Sequence, residues 1–312
     1  MNDEQLAWLA NATGADRAQR ADRVQSLWSG YGEIVRVRLT GARGARGQAD
    51  ANRGDRTVIV KSVKPPARVR GRSASKADDA SHARKCRSYD VELAWYRSFA
   101  SRCDVACRVP RFIAGRSGGG EWLFVLEDLD DAGYAERRRR ATPPELNVCL
   151  AWLAAFHARF LGVAPEGLWK NGTYWHLATR TDELAAIDDA ELRAAAPILD
   201  RQLREANFKT LVHGDAKLAN FCFAPGGRAV AAVDFQYVGG GCGMKDVAYL
   251  LHGEPASPAV EQRHLDAYFM ALREHVTRLH PAIDVATLES EWRALYPIAG
   301  ADFRRFLAGW RG

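Results

Sequence analysis

Asp215 and Asn220 stand five residues apart in Leu211-Val212-His213-Gly214-Asp215-Ala216-Lys217-Leu218-Ala219-Asn220-Phe221, just after a short apolar run. Fourteen residues beyond Asn220, in Val233-Asp234-Phe235-Gln236, a second acid again closes an apolar run. Two carboxylates and an amide in this order suit phosphoryl transfer. One carboxylate must hold an acceptor hydroxyl and take its proton, and two oxygen ligands must hold Mg²⁺ against the phosphates. Asp215, Asn220 and Asp234 can fill these roles in that order. Other chemistries fail on spacing. The chain has no HExxH, and His275 and His280 are five apart. Its one GxSxG, Gly115-Arg116-Ser117-Gly118-Gly119, sits in a glycine-rich turn and not in the strand-to-helix setting of a serine elbow, and it has no Walker GxxxxGK[ST].

The elements that must position these residues read as a β-rich front and an α-rich back, with no internal repeat. Residues 3–27 read as a helix offering Leu6, Leu9, Val24 and Leu27 for burial. Residues 26–28, the glycine turn Ser29-Gly30-Tyr31-Gly32 and residues 33–39 then read as strand, tight turn and strand, with Val35, Val37 and Leu39 on one face. Residues 41–56 are rich in Gly, Ala and Arg and read as a mobile loop, and residues 64–86 as a second loop. Between them, residues 57–61 form a β-branched strand that ends in Lys61. Residues 88–100 have helical spacing, placing Glu92, Trp95, Tyr96 and Phe99 on one face. An apolar strand at 122–126 runs into Glu127-Asp128-Leu129-Asp130-Asp131-Ala132-Gly133, a change of character that marks a hinge. Thr142-Pro143-Pro144-Glu145 is a capping box with proline at the first helical position. Residues 182–206 read as helical, 211–223 and 230–235 as short strands around loops, and the chain from 245 onward as mostly helical.

His213-Gly214-Asp215-x-x-x-x-Asn220 followed by Asp234-Phe235 resembles the catalytic and metal motifs of the aminoglycoside phosphotransferase/choline kinase superfamily, relatives of protein kinases. The strings VHGDAKLANFCF and VDFQYVGGGCGMKDVAY look most like its CHK kinase-like, or ecdysteroid kinase-like, branch. The resemblance spans roughly residues 25–310. It implies an α+β, bilobal protein-kinase-like fold, with an N-terminal antiparallel-sheet lobe and a mostly helical C-terminal lobe. Residues 1–128 would be the nucleotide-binding lobe, 129–133 the hinge, and 134–312 the catalytic and acceptor-binding lobe. ATP and Mg²⁺ are the implied cofactors. On this resemblance Lys61 grips the α/β-phosphates, Glu92 pairs with it, and the hinge around Glu127 and Leu129 receives adenine. Gly30 and Gly32 begin the phosphate-covering loop, Asp215 is the catalytic base, and Asn220 and Asp234 hold the metal. Lys217 matches a lysine that contacts the γ-phosphate in many protein kinases, where its charge would stabilise the transferring group. Asp246 resembles a residue that braces the catalytic loop. Two departures stand out: Val35 takes the place of the third glycine of G-x-G-x-x-G, and Gln236 replaces the glycine of Asp-Phe-Gly. Taken singly, Gly30 and Gly32 would mark only a hairpin turn. His213 reads as a packed structural histidine and Cys242 as inert.

Composition bounds the rest. A chain of 312 residues, 47% hydrophobic and 26% charged, is long enough for two lobes. No apolar run approaches the ~20 residues of a membrane span. The start, MNDEQLAWLANATGADR, has no basic region ahead of an apolar one, so no secretory signal is expected. Six scattered cysteines without a CxxC fit reduced thiols in a cytoplasmic protein. The net charge of +6 is concentrated at 43–87 and 137–140. Without an aromatic-interleaved basic stripe, this reads as solvated loops and a field attracting a nucleotide triphosphate, and no nucleic-acid partner is expected. The sequence sets no oligomeric state. The expected activity is transfer of the ATP γ-phosphate to a hydroxyl of a small molecule. The alternative is a degenerate nucleotide-binding regulatory module, disfavoured because the catalytic groups are all present. A protein kinase is disfavoured because no Ala-Pro-Glu follows Asp234-Phe235-Gln236 (the one at 164–166 precedes it) and Gly239 to Asp246 follow too closely for an activation segment. The acceptor is expected among the aromatics of residues 169–176 and Trp292, Tyr296, Phe303 and Trp310. Acids are sparse there, which favours a neutral or weakly charged alcohol over a polycation.

Overall fold

The computed structural model describes residues 1–27, 30–41, 55–66, 76–253 and 257–310, with 76–78 described through the backbone alone. Trp28, Ser29 and most of the two expected basic loops (42–54 and 67–75) lie outside the described residues. The chain divides into two compact units: Met1–Ser75 with Pro110–Ala135, and Lys76–Val109 with Glu136–Gly312.

The first unit is a five-stranded antiparallel sheet with one helix. Helix α1 (Asp3–Thr13) opens with a capping box, in which Asn2 accepts from the Gln5 amide and the Gln5 side chain accepts from the Asn2 amide. Strands β1 (Arg17–Ser26), β2 (Gly32–Thr40), β3 (Arg56–Val63), β4 (Phe112–Gly118) and β5 (Glu121–Glu127) take the order β1-β2-β3-β5-β4. The core is the alternating face read from the sequence. Val35, Val37 and Leu39 of β2 pack with Val58 and Val60 of β3, Leu123 and Val125 of β5, and Leu9 of α1.

The helix expected over 3–27 is corrected here. It stops at Gly14, which takes a left-handed conformation, and residues 17–26 form the edge strand β1. That strand is exposed nearly throughout, so it carries no apolar alternation, and its backbone pairing to β2 holds it in place. Its charges suit an unpaired edge.

The second unit is mostly helical. Helix α2 (Lys76–Ser98) begins ten residues earlier than the end of the loop read over 64–86, which is therefore corrected from Lys76 onward. The charged stretch at its start has no apolar stripe to reveal it. The C-terminal half is anchored in this unit: the Trp95 ring stacks on Phe235 at 4.5 Å and packs against Phe156 and Phe160 of the following helix region. Glu92, Trp95, Tyr96 and Phe99 are all buried, as their shared face requires.

Helix α3 (Pro143–Arg159) starts at the expected Thr142/Glu145 capping box and packs against α7 (Pro258–Leu279). The helix read over 182–206 is two helices, α4 (Thr181–Ala185) and α5 (Ala190–Arg204). The break has a local cause: Asp189 caps α5 by accepting from the Glu191 and Leu192 amides, so it cannot continue α4. Short strands β6 (Thr210–Val212) and β9 (Gly239–Gly241) pair with each other, as do β7 (Phe221–Phe223) and β8 (Val230–Ala232). Helices α6 (Met244–His252) and α8 (Val285–Gly309) close the unit. Among the described residues no helix is long and apolar enough to cross a membrane.

In the first unit the segment after β5 is held by one arginine. Arg36 on β2 bonds Asp128 at 2.5 Å, Asp130 at 2.5 Å and Asp22 at 3.2 Å. Asp128 is buried and also accepts from the Thr57 hydroxyl at 2.7 Å. Arg36→Ala would strip a buried carboxylate of its cation. Urea unfolding should show a loss of about 2–3 kcal/mol, below the ~3–5 kcal/mol of a fully buried pair because Arg36 keeps some exposure. Asp22→Ala removes only an exposed partner and should cost under about 1 kcal/mol in the same measurement.

Candidate active site

Strand β6 ends at Val212, and the chain turns at once through His213 and Gly214 to Asp215. Gly214 has φ 81°, and a Cβ there would run into the Tyr237 carbonyl, so the turn admits only glycine. Asp246, in the first turn of α6, is wholly buried and fastens the turn. Its Oδ2 accepts from the His213 amide at 2.6 Å and its Oδ1 from the Gly214 amide at 2.9 Å. His157 of α3 adds a third donor: Nε2 lies 3.2 Å from Asp246 Oδ2, while Nδ1 accepts from the Tyr268 hydroxyl at 2.8 Å. Asp246 thus makes the bracing contacts expected of it.

His213 is structural. Its Nε2–H donates to the Val233 carbonyl at 3.0 Å and its Nδ1 accepts from the Asp215 amide at 3.2 Å, which is the pattern of a neutral ring. Burial lowers its pKa, in keeping with that state. Cys242 is buried as well, and burial pushes its thiol up to about 12, leaving it protonated.

The Asp215 carboxylate is the meeting point of the site. Oδ2 accepts from Lys217 Nζ and from Asn220 Nδ2, each at 3.0 Å, and Oδ1 accepts from the Tyr249 hydroxyl at 3.3 Å. Asn220 Nδ2 also donates to the Asp215 carbonyl at 2.7 Å. Both side-chain bonds of Asn220 therefore run through nitrogen, and its Oδ1 is the atom left for a cation. Burial raises the pKa of Asp215; Lys217 opposes this and the negative charge of Asp234 adds to it, for a net rise. Burial would lower the pKa of Lys217, yet the Asp215 carboxylate holds it above the ordinary lysine value.

Asp234 follows β8 and has φ 70°, rare for a residue with a side chain. Its Oδ1 accepts from Gln236 Nε2 at 2.7 Å. Gln236 in turn accepts from Lys85 at 2.9 Å and Ser88 at 3.1 Å, both on α2, and its carbonyl accepts from the Trp169 indole at 2.8 Å. The residue that departs from Asp-Phe-Gly is thus a linker between Asp234 and α2.

The structure brings Asp215, Lys217, Asn220 and Asp234 together within the second unit. Glu92 is buried on α2 of that unit. The remaining expected residues are in the first unit. Lys61 is buried on β3, opposite Ile34 and Phe124 in the sheet, with its ammonium 5.8 Å from the Phe124 ring centre. Gly32 has φ 141°, and a Cβ there would strike the Ser62 carbonyl, whereas Gly30, at φ 73°, has open space. Glu127 ends β5 and bonds Arg111 through backbone and side chain, and Leu129 is buried with its carbonyl accepting from the Tyr134 amide.

Of the expected acceptor aromatics, Tyr174 meets Tyr249 at 5.6 Å and Phe306 at 5.3 Å, Phe303 meets Tyr249 at 4.8 Å, and Trp310 meets Phe306 at 5.1 Å. Trp292 and Tyr296 instead bond the Phe208 carbonyl and Glu261. Tyr249 and Arg180 were missed by sequence reasoning. A signal for Tyr249 existed: it lies three residues after Asp246 on one helix and so shares its face. Arg180 is buried, stands over the rings of Tyr174, Phe306 and Trp310, and is paired to Glu183 at 2.8 Å. No local pattern marks it.

The Phosphotransferase enzyme family matches residues 53–281. The chain belongs to that family. No curated protein matches the chain in sequence. Solved structures similar to this family member include an aminoglycoside-3'-phosphotransferase of type VIII, with 17% identity over 90% of this chain and 93% of that one and a TM-score of 0.43. Others are the choline kinase of Streptococcus pneumoniae, with 14% identity, 93% and 92% coverage and a TM-score of 0.47, and a Plasmodium vivax ethanolamine kinase, with 12%, 97%, 79% and 0.48. At such values the likenesses decide nothing about acceptor or mechanism.

Asp246→Ala would leave two buried backbone donors and the His157 donor without an acceptor. The expected loss in urea unfolding is at least about 3 kcal/mol, at ~1–3 kcal/mol per orphaned group. Asp246→Asn keeps one acceptor oxygen and should lose roughly half as much. Equal stability of all three proteins would remove Asp246 from its bracing role.

Proposed function

We propose that this phosphotransferase moves the γ-phosphoryl group of ATP, with Mg²⁺, onto a hydroxyl of a small alcohol that is not a polycation, and that it works in the cytoplasm. The observation that carries the reading is the Asp215 carboxylate, held from two sides by Asn220 and Tyr249 and within the electrostatic reach of Asp234. On this reading Asp215 orients the acceptor hydroxyl and takes its proton. Lys217, half-exposed and bonded to Asp215, faces the charge that develops on the transferring group. The metal would be held by Asp234 and by Asn220 Oδ1, and when bound it would neutralise phosphate charge. Two protein ligands suit Mg²⁺, which keeps waters and substrate oxygens in its shell. Among the described residues no group of three or more His, Cys, Asp or Glu could hold a metal by itself.

The same reading gives residues 1–128 the nucleotide, 129–133 the hinge and 134–312 the acceptor. Lys61 would hold the phosphates with Glu92 orienting it, Gly30 and Gly32 would cover them, and Glu127 and Leu129 would receive adenine. Membership of the CHK kinase-like branch rests on the VHGDAKLANFCF string.

The charges around the aromatics support the acceptor class. Tyr237 feels Arg180 and Arg84 as well as Asp215 and Asp234. Of the nearby acids outside the catalytic set, Glu183 is already paired with Arg180. A polycationic acceptor would meet two guanidinium groups with few carboxylates to balance it. A panel of hydroxyl compounds, with products identified by mass, should show phosphorylation of neutral or anionic alcohols well ahead of aminoglycosides. Efficient turnover of an aminoglycoside would overturn the acceptor class. ATP binding with no alcohol phosphorylated would leave a regulatory module.

Asp215→Asn should lower kcat by about 10²–10⁴-fold, the scale of a positioned general base, with ATP binding retained. Asp234→Ala should weaken binding of Mg·ATP more than of metal-free nucleotide in calorimetry. The pH profile has a definite sign. The base must be ionised, and the Asp215 pKa is raised, so kcat should be full above that pKa and fall as pH drops through it, at a higher pH than an ordinary carboxylate would give. An acid limb that persists unchanged in Asp215→Asn would assign it to another group.

A further inference from the structure

A cavity lies wholly within the second unit, at the start of β6, where Asp215 follows its end. It has a volume of about 540 Å³, within the range of small-ligand sites, and among the described residues it is lined by Lys170, Arg204, Lys209 and Lys245 with no acidic side chain. Lys245 is its distinguishing feature. The side chain is 95% buried, running along Gly241, yet among the described residues its ammonium makes a single bond, to the Gly172 carbonyl at 3.3 Å. An ammonium carries three donors, and a buried one without a carboxylate partner is expensive.

The acids within electrostatic reach are committed elsewhere. Asp200 bonds Arg204 at 2.8 Å and faces His176 at 3.4 Å, Asp302 bonds Arg305 at 2.6 Å, and Asp246 is taken up by the catalytic turn. Lys170, Arg204 and Lys209 are exposed at the rim of the cavity. A solvated basic rim alone would be ordinary. A buried, under-bonded lysine at the base of a basic cavity is not, because its charge persists only where an anion, water or carboxylate balances it.

We propose that this cavity binds a small di- or trivalent anion bearing phosphate or carboxylate groups, with Lys245 at the base and Lys170 and Lys209 at the rim. The site is separate from the reaction at Asp215. The ligand would bridge Lys245 to the rim lysines and supply the acceptors that the buried ammonium lacks.

The test uses the full chain freed of divalent metal by dialysis against a chelating resin, with no soluble chelator present, so that no metal-dependent nucleotide site contributes. Inorganic phosphate, pyrophosphate and citrate are titrated by calorimetry and thermal unfolding, with potassium chloride at matched ionic strength as the control. The expected result is saturable binding and a rise in Tm beyond that of the chloride control. Lys170→Glu and Lys209→Glu change exposed residues and leave the buried core intact. Each should weaken the anion by about tenfold or more, as reversal of a contacting charge does. Lys61→Ala and Asp234→Ala should leave that binding unchanged. Preference for citrate over the phosphates would identify a carboxylate ligand, and the reverse order a phosphate ligand; both support the site. No effect beyond chloride, or binding abolished by Lys61→Ala or Asp234→Ala but insensitive to the rim variants, would overturn it.

Discussion

The arrangement around Asp215 depends on one buried anion, Asp246. Two consecutive backbone N–H groups, those of His213 and Gly214, converge on its two oxygens, and the His157 ring closes the set. A lone carboxylate at full burial is strongly disfavoured, so the loop and the carboxylate hold each other. Because the donors belong to the residues just before Asp215, the direction of the Asp215 side chain is set by a group that never touches it. The same demand accounts for the crowding nearby. Gly214 must approach Tyr237, and Gly239 and Gly240 must approach Trp169 and Lys170, so closely that side chains cannot intervene. Gly239 and Gly240 are therefore a steric consequence of packing β9 against the Trp169–Gly172 segment.

A second layer ties Asp234 to the helices. Trp95 stacks on Phe235, and Phe235 lies 4.6 Å from His213, so an aromatic stack connects α2, the segment bearing Asp234 and the catalytic turn. Gln236 adds a polar route alongside it, from Lys85 and Ser88 to Asp234. In the Asp-Phe-Gly pattern a glycine would leave that backbone free to change conformation. A buried glutamine with its amide bonded at both ends holds one conformation instead.

The cluster around Asp215 was legible in the sequence because it is local. Asp215, Lys217 and Asn220 share one loop, and a carboxylate, an amide and a second acid, in that order after short apolar strands, suit little chemistry besides phosphoryl transfer. The capping box at Thr142 and the alternating face of β2 were legible for the same reason. What failed was also physical. Strand β1 is exposed along almost its whole length, and the first turns of α2 are polar, so neither offers the periodicity that reveals an element. Asp189 looked like a helix residue, though its side chain serves as a cap. Tyr249, Arg180 and Gln236 act across long sequence separations, and their roles depend on packing that no window of the chain contains.

Strain gathers at the site in a way that bears on its chemistry. Among the described residues only Thr173 and Asp234 have a positive φ without being glycine. Both border the catalytic turn: the Thr173 amide donates to the Tyr237 carbonyl beside Gly214, and Asp234 raises the pKa of Asp215. Such conformations cost about 1–3 kcal/mol each and persist only where the surroundings over-determine them. Here the surroundings are the Asp246 brace, the aromatic stack and the Gln236 link. The protein thus holds two mutually repelling carboxylates near each other, one on a strained backbone, without relaxing. Burial is the larger cause of the raised Asp215 pKa and the charge of Asp234 adds to it, so the strained backbone that places Asp234 there also contributes to the electrostatics at Asp215.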